Sequence, residues 1–192
     1  MTLTHTAQAG YTYHPDVYTD EHERSFAVYP DTDSEDPRTW FTVNELAIIV
    51  INGDRNTHID TLTDYKDNPA IACFIELLDE LDTDDPYDVS IDVWRAALHE
   101  QNLNYDVALT TCQGYSQSDW FTALVAVKDE YGTAENYVDT YRMWAFGDVW
   151  TVVPVDPEPG NEGPLSGIYA DDPESAVTEY INYMTPKEVI HP

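Results

Sequence analysis

Residues 40–51, WFTVNELAIIVI, end in a continuous run of apolar and mostly β-branched side chains. The run stops at Asn52-Gly53-Asp54, a combination that is typical of a tight turn. A short apolar segment bounded by turn residues is typical of a strand that is buried on both faces. The segment therefore predicts a buried strand, and with it a folded core that contains a sheet.

A helix is predicted next along the chain, where Asn68, a good cap residue, is followed by Pro69. The helix carries apolar residues at helical spacing, which are Ile71, Phe74, Ile75, Leu78 and Leu81. Acidic residues fall largely on the opposite side, and these are Glu76, Asp79, Glu80 and Asp82. The pattern indicates a helix with one face in the core and the other lined by carboxylates.

The rest of the chain mixes short helices and strands without the regular alternation of a parallel α/β fold. Further helices are predicted at 90–101 and 135–146 and after Pro173, and strands at 105–111, 120–127, 148–156 and 166–169. Asp171 and Glu174 have the spacing of a capping box at the start of the last helix. The sequence predicts an α+β fold with a mixed or antiparallel sheet and about four helices.

Residues 1–39 differ in character from the segments that follow them. They are rich in Tyr, Thr, Asp and Pro, with turn signals such as His14-Pro15 and Asp36-Pro37 and only short extended pieces such as Ser25 to Tyr29. We expect residues 1–39 to form a loop-rich N-terminal arm and residues 40–192 to form a single acidic α+β domain. The aromatic side chains of Tyr11, Tyr13 and Tyr18 are interface candidates on that arm, and the alternative is that they pack the arm on the body of the domain.

Acidic residues far outnumber basic ones in this chain. Its 192 residues include 37 Asp plus Glu against 8 Lys plus Arg, a formal net charge of −29. With 42% hydrophobic and 12% aromatic residues, the composition is that of a folded protein and not of a disordered acidic tail. Direct binding to nucleic acid or to an anionic membrane is disfavoured, because both require clustered Lys and Arg. A basic protein partner is favoured.

The negative charge is distributed along the chain but is densest in residues 76–92, which hold eight acids and no base. We call these eight residues the acidic row: Glu76, Asp79, Glu80, Asp82, Asp84, Asp85, Asp88 and Asp92. A second acidic patch consists of Asp171, Asp172 and Glu174. Carboxylates that repel one another on one helix face destabilise the helix, so a fold that accumulates them is expected to gain something else from them. Both sets are therefore candidate partner-binding residues.

Two explanations for the acidity remain open at the level of sequence. In the first, the carboxylates imitate the phosphates of DNA, so that the protein occupies the basic groove of a DNA-binding protein. In the second, an acidic surface keeps the protein hydrated in a high-salt cytoplasm. The second is compatible with a composition of three Lys and 23 Asp against 14 Glu.

Motifs that would indicate catalysis or a bound metal are incomplete in this sequence. Asp31, Asp33 and Glu35 resemble the start of a calcium loop, but the required Gly and the final Glu are missing. The six His residues have no metal-ligand spacing, and there is no Gly-rich phosphate loop. Cys73 and Cys112 are expected to be reduced and structural. We therefore expect a protein that is not an enzyme and has no cofactor.

Three strings in the second half of the chain resemble an uncharacterised family of small acidic proteins carried by phages and plasmids of Gram-positive bacteria. They are Gly114-Tyr-Ser-Gln-Ser-Asp-Trp120 and Trp144-Ala-Phe-Gly-Asp-Val-Trp150, followed by Ser166-Gly-Ile-Tyr-Ala-Asp-Asp172. The family has a GYSQGDW-like string, in which Gly replaces the Ser118 of this chain. The resemblance implies a mobile-element origin, and in charge and size the chain is similar to antirestriction DNA mimics.

These observations lead to one functional hypothesis and one alternative. The hypothesis is an acidic inhibitor in the host cytoplasm that blocks a basic DNA- or RNA-binding protein complex, such as a restriction-modification enzyme. The alternative is a structural or scaffolding protein of a halophilic host or its virus. The start of the chain has no signal-peptide pattern, and no apolar run is long enough to span a membrane. We therefore expect the protein in the host cytoplasm. The sequence is compatible with a homodimer.

Overall fold

The computed structural model of the chain describes residues 2–7, 15–53, 62–114, 120–155 and 163–184. Eight strands lie in these residues: β1 Thr4–Ala7, β2 Asp16–Thr19, β3 Ser25–Pro30, β4 Leu46–Gly53, β5 Tyr105–Gln113, β6 Trp120–Lys128, β7 Val149–Pro154 and β8 Leu165–Tyr169. The four helices of the described residues are α1 Pro69–Leu81, α2 Ile91–Glu100, α3 Ala134–Phe146 and α4 Pro173–Met184. All strand pairs are antiparallel. The predicted α+β class with about four helices is confirmed.

The chain divides into two compact units. Unit 1 comprises residues 1–34 and 143–192, and unit 2 comprises residues 35–142. The expected division into an arm of residues 1–39 and a domain of residues 40–192 stays a prediction. Within that arm, the described residues contain three strands, β1, β2 and β3, where the sequence predicts mainly loops. β1 pairs with β2 and β2 with β3, and β3 also pairs with β7, which lies far along the chain and gives no local signal.

Unit 2 is built on a three-stranded sheet in the order β4-β6-β5. Seven consecutive residues of the central strand, Phe121 to Val127, are buried, because the strand is covered on both faces. The predicted strand in residues 40–51 begins later, at Leu46. Residues 42–45 form a turn in which the Glu45 carboxylate accepts hydrogen bonds from the Thr42 N–H (3.0 Å) and hydroxyl (2.7 Å).

Helices α1 and α2 form the core of unit 2 together with one face of this sheet. The rings of Phe74 and Trp94 meet edge to face, with 4.7 Å between their centroids. The Trp94 indole N–H donates to the Ala70 carbonyl at 2.9 Å, which joins the two helices through a buried contact. The fully buried residues of this core, such as Ile49 and Leu124, come from alternate positions on the strands. The opposite faces of α1 and α2 are left exposed.

Unit 1 is built on a five-stranded sheet in the order β1-β2-β3-β7-β8, with α4 packed against it. Phe26 and Tyr180 contact each other in its core, with 5.6 Å between ring centroids. The turn between β2 and β3 is held by Asp20, a buried carboxylate that contacts Arg24 at 2.6 Å. Burial would raise the pKa of Asp20, but hydrogen bonds from Arg24 and His22 outweigh it and hold that pKa below its ordinary value.

The start of α4 differs in one residue from the predicted capping box. Asp172, and not Asp171, precedes the helix, and its carboxylate accepts a hydrogen bond from the Ser175 N–H at 2.7 Å. Pro173 therefore occupies the first position of the helix, where a missing N–H costs nothing. Asp171 lies one residue before the cap. The capping acid was expected one position too early.

Candidate partner-binding surface

All eight residues of the acidic row are exposed in unit 2. Glu76, Asp79 and Glu80 lie on α1, and Asp82 is the residue that caps its C-terminal end. Asp84, Asp85 and Asp88 lie in the turn that follows, and Asp92 lies in the first turn of α2. The structure therefore brings the eight acids together on one continuous segment of helix, turn and helix. Their role in binding stays a prediction.

Three of these acids lie where a negative charge destabilises the helix. Asp79, Glu80 and Asp82 are at the C-terminal end of α1, whose dipole carries partial negative charge, and no basic residue lies in its last turn. Asp82 also has left-handed backbone geometry, with φ of 54°. Asp tolerates this region better than most residues, but Gly or Asn would cap the helix without adding charge. The negative charges at these three positions therefore lower the stability of α1.

The acids in the turn after α1 have local structural roles. The Asp85 carboxylate accepts a hydrogen bond from the Tyr87 N–H at 3.0 Å. The Thr83 hydroxyl donates to Asp88 and accepts from the Asp85 N–H at 3.1 Å. Asp85 and Asp88 therefore fix the shape of the turn in addition to supplying charge.

Few contacts neutralise the row. Arg95 is 3.9 Å from Asp92 and equally far from Asp106, and it donates a hydrogen bond to the Val107 carbonyl. Glu76 accepts a long hydrogen bond of 3.4 Å from Gln101. The other four acids, within the part of the chain that the structure describes, have side chains with no hydrogen bond or ion pair: Asp79, Glu80, Asp82 and Asp84. The charge of the row is consequently available to a partner.

Large apolar side chains are exposed among these acids. Leu81 and Tyr87 are each 54% exposed, and Val93 is 48% exposed. Tyr87, together with Ile51 and Pro86, forms a cleft of about 430 Å³ that Asp84 and Asp85 also line. Sequence reasoning missed Tyr87, although an aromatic residue inside the string DTDDPYD could have indicated it. Apolar side chains exposed within a charged surface are typical of a protein interface.

The second acidic patch lies in unit 1 and is also exposed. Asp172 caps α4, and Glu174 lies in the first turn of that helix. Carboxylates stabilise a helix at its N-terminal end, because the dipole is positive there. The helix itself therefore accounts for two of the three acids of this patch. The acidic row has the larger unexplained charge.

Of the three aromatic interface candidates predicted from the sequence, the structure describes only Tyr18. Tyr18 is buried in the core of unit 1, at 8% exposure, because β2 is part of the sheet. Tyr11 and Tyr13 lie outside the described residues, as do residues 115–119 of the first string, Gly114 to Trp120. In the second string, the Trp150 indole N–H donates to the Ala170 carbonyl at 2.8 Å. That tryptophan has a structural role.

The two thiols have raised pKa values. Burial raises the pKa of the Cys112 thiol to about 11, the charge of Arg142 opposes this rise, and the charge of Asp139 adds to it. Burial also raises the pKa of Cys73, helped by the charges of Glu76 and Glu80. Both thiols are free and buried, so they are protonated and poorly nucleophilic at neutral pH.

The aspartates of the calcium-like string are engaged in local structure. Asp31 accepts hydrogen bonds from the Gly167 N–H at 2.9 Å and from the Asp33 N–H at 3.2 Å. Across the described ranges, no group of three or more His, Cys, Asp or Glu side chains is arranged to hold a metal ion.

A second cavity in unit 2, of about 800 Å³, lies at the end of the sheet where β4 and β5 begin and β6 ends. Its lining includes Asn44, Asn102, Asn104 and Lys128. The described lining residues include no His, Cys or Ser.

The chain matches no protein-family model, no curated protein and no solved structure. Among the residues that the structure describes, none of the helices has the length and apolar character that crossing a membrane requires.

Proposed function

We propose that this protein is a non-enzymatic, cofactor-free inhibitor that presents DNA-like negative charge to the nucleic-acid-binding groove of a basic host protein. The contact surface is the acidic row, with the second acidic patch as an additional contact. The host target is a defence or regulatory protein, such as a restriction-modification enzyme, and inhibition takes place in the host cytoplasm.

One observation carries this proposal: the acidic row is exposed, lies partly where it destabilises α1 and is largely uncompensated. Each unfavourable helix-end charge costs about 0.3–1 kcal/mol at low salt, and each like-charged pair on the helix costs about 0.2–0.5 kcal/mol. A compensating gain is expected where such costs accumulate on one segment. Binding to a basic groove is a gain of this kind, because opposite charges across an interface accelerate association and select the partner.

The amount of charge is in the range that mimicry needs. Duplex DNA carries one negative charge per about 1.7 Å of its axis, so a net charge of −29 corresponds to roughly 50 Å of duplex. This length is about one and a half turns of duplex, at about 34 Å per turn, so a folded acidic surface can compete for a groove that binds that much DNA. The resemblance to proteins of phages and plasmids supports a defence protein as the target, since such elements meet those proteins on entering a cell.

The alternative function, a structural protein of a high-salt organism or its virus, is favoured by composition. Lys is scarce, with three residues, and Asp outnumbers Glu by 23 to 14. Hydration alone, however, gives no reason for the exposed side chains of Leu81, Tyr87 and Val93 to lie among the acids. This arrangement favours a binding surface.

A competition experiment with matched variants tests the proposal. The row variant carries Asp79→Asn, Glu80→Gln, Asp82→Asn and Asp84→Asn, which replace the acids that make no hydrogen bond or ion pair in the described structure. The control variant carries Glu100→Gln, Asp129→Asn, Glu130→Gln and Glu135→Gln, which lie in unit 2 outside the row. Both variants lose four negative charges. Each protein is added to a panel of bacterial restriction-modification enzymes, and DNA cleavage is measured at increasing salt.

We expect the unaltered protein to inhibit cleavage by at least one enzyme, and the inhibition to weaken as salt rises. The row variant should inhibit about tenfold less, because four exposed charge pairs contribute about 0.2–1 kcal/mol each. The control variant should inhibit like the unaltered protein. Equal inhibition by the two variants would contradict the assignment to the row, and absence of inhibition across the panel would contradict the proposed target class.

A further inference from the structure

The cleft beside Tyr87 combines an aromatic ring with carboxylates. Ile51 and Pro86 supply apolar lining, and Asp84 and Asp85 supply negative charge. The cleft volume of about 430 Å³ is at the lower end of the range found for small-ligand sites, about 300–1,000 Å³. It is therefore suited to a single side chain of a partner.

The Tyr87 ring is held in place although more than half of the residue is exposed. Its hydroxyl donates to the hydroxyl of Thr122 at 2.6 Å, and Thr122 is fully buried in β6. The Thr122 hydroxyl in turn lies 2.9 Å from that of Thr111 on β5. The Tyr87 N–H bonds to Asp85, so the backbone is fixed as well. Because the Tyr87 side chain is already ordered, binding a partner costs little conformational entropy of that side chain.

A guanidinium group matches this combination of surfaces. It is planar and stacks on an aromatic face, it pairs with carboxylates, and it is less strongly hydrated than an ammonium group. The Asp84 carboxylate makes no hydrogen bond or ion pair within the described residues and so can accept one. An ammonium group would gain the charge attraction but less of the stacking.

We propose that the Tyr87 cleft binds one arginine side chain of the basic partner. The inference rests on the proposed function, because it takes the partner to be a basic protein. It adds that the protein selects arginine over lysine at this position. The acidic row then supplies long-range attraction, and the Tyr87 cleft supplies short-range discrimination.

Two peptides serve as probes, an arginine oligomer and a lysine oligomer of equal length and charge, titrated by calorimetry. We expect the arginine oligomer to bind about two- to fivefold more tightly, as for one exposed cation–π contact. Tyr87→Ala should remove this preference, whereas Tyr87→Phe should keep it because the ring remains. Tyr183→Ala is the matched control, since Tyr183 is 70% exposed on α4 in unit 1.

A preference that persists in Tyr87→Ala, or that is absent in the unaltered protein, overturns the cleft assignment. In either case the proposed function is judged separately, by the inhibition of DNA cleavage that the row and control variants are designed to test. A second measurement uses the unaltered protein and needs no folded variant. Resonances of Tyr87 and Pro86 should shift on addition of N-acetyl-argininamide and shift less with the lysine analogue. Equal shifts with the two compounds would also overturn the assignment.

Discussion

Asn68 connects the start of α1 to the segment that precedes β4. Its side-chain oxygen accepts hydrogen bonds from the N–H groups of Ala70 (2.9 Å) and Ile71 (3.2 Å), and its amide donates to the Val43 carbonyl at 2.7 Å. The residue is fully buried, so water cannot replace these bonds. One side chain therefore fixes the position of the helix that carries three of the eight residues of the acidic row.

We predict that Asn68→Ala lowers the free energy of unfolding by about 1–3 kcal/mol. The lost cap accounts for about 0.5–2 kcal/mol, and the lost bond to the carbonyl of Val43, an exposed residue, accounts for about 0.5–1.5 kcal/mol. Urea denaturation measures the change. Ser90→Ala is the control, because Ser90 caps α2 through one exposed bond to the Val93 N–H and its loss should cost about 1 kcal/mol. Equal effects of the two substitutions would show that the Val43 bond adds nothing.

At the scale of elements, the C-terminal end of α1 is the part of the fold where charge and stability oppose each other. We predict that replacing Asp79, Glu80 and Asp82 by their amides raises the free energy of unfolding by about 1 kcal/mol or more at low salt. The gain should shrink near 1 M salt, where the screening length falls to about 3 Å. Urea denaturation at both salt concentrations provides the measurement.

Asp172→Asn is the control for this prediction, because asparagine is an equally good cap and only the charge is lost. It lies at the N-terminal end of α4, so its effect should have the opposite sign, a loss of a few tenths of a kcal/mol. If the amides at the end of α1 lowered stability, the row would be stabilising in the free protein. The acidic row would then impose no electrostatic cost on folding that binding has to offset.

The same elements explain how much the sequence could predict. α1, with Asn68 as its cap and Glu76 to Asp82 on its exposed side, follows from local spacing and capping rules. The pairing of β3 with β7, such as Ala27 opposite Val153, depends on contacts between distant segments and has no local signal. The Tyr87 cleft was missed for the same reason, because Thr122, which holds the ring, is on a different strand.

At the scale of the whole molecule, net charge and core burial act against each other. A charge far from zero destabilises a compact state through self-repulsion. Each unit nevertheless has its own apolar core, with fully buried side chains such as Phe74 and Leu124 in unit 2 and Val152 and Val177 in unit 1. Burial of this kind contributes about 1.5–3 kcal/mol per large apolar side chain and does not depend on high salt.

The salt dependence of folding therefore distinguishes the two proposed functions. We predict that the full chain stays folded in dilute buffer, near 0.1 M salt, and that its melting temperature rises moderately as salt screens the carboxylates. A protein that needs high salt for folding should instead lose its cooperative transition below about 1 M. Thermal melts followed by circular dichroism measure this. The row and control variants refine the result, because both remove four charges. If only the row variant melts higher in dilute buffer, the repulsion arises from the acidic row, whereas equal shifts would assign it to total charge and favour the high-salt function.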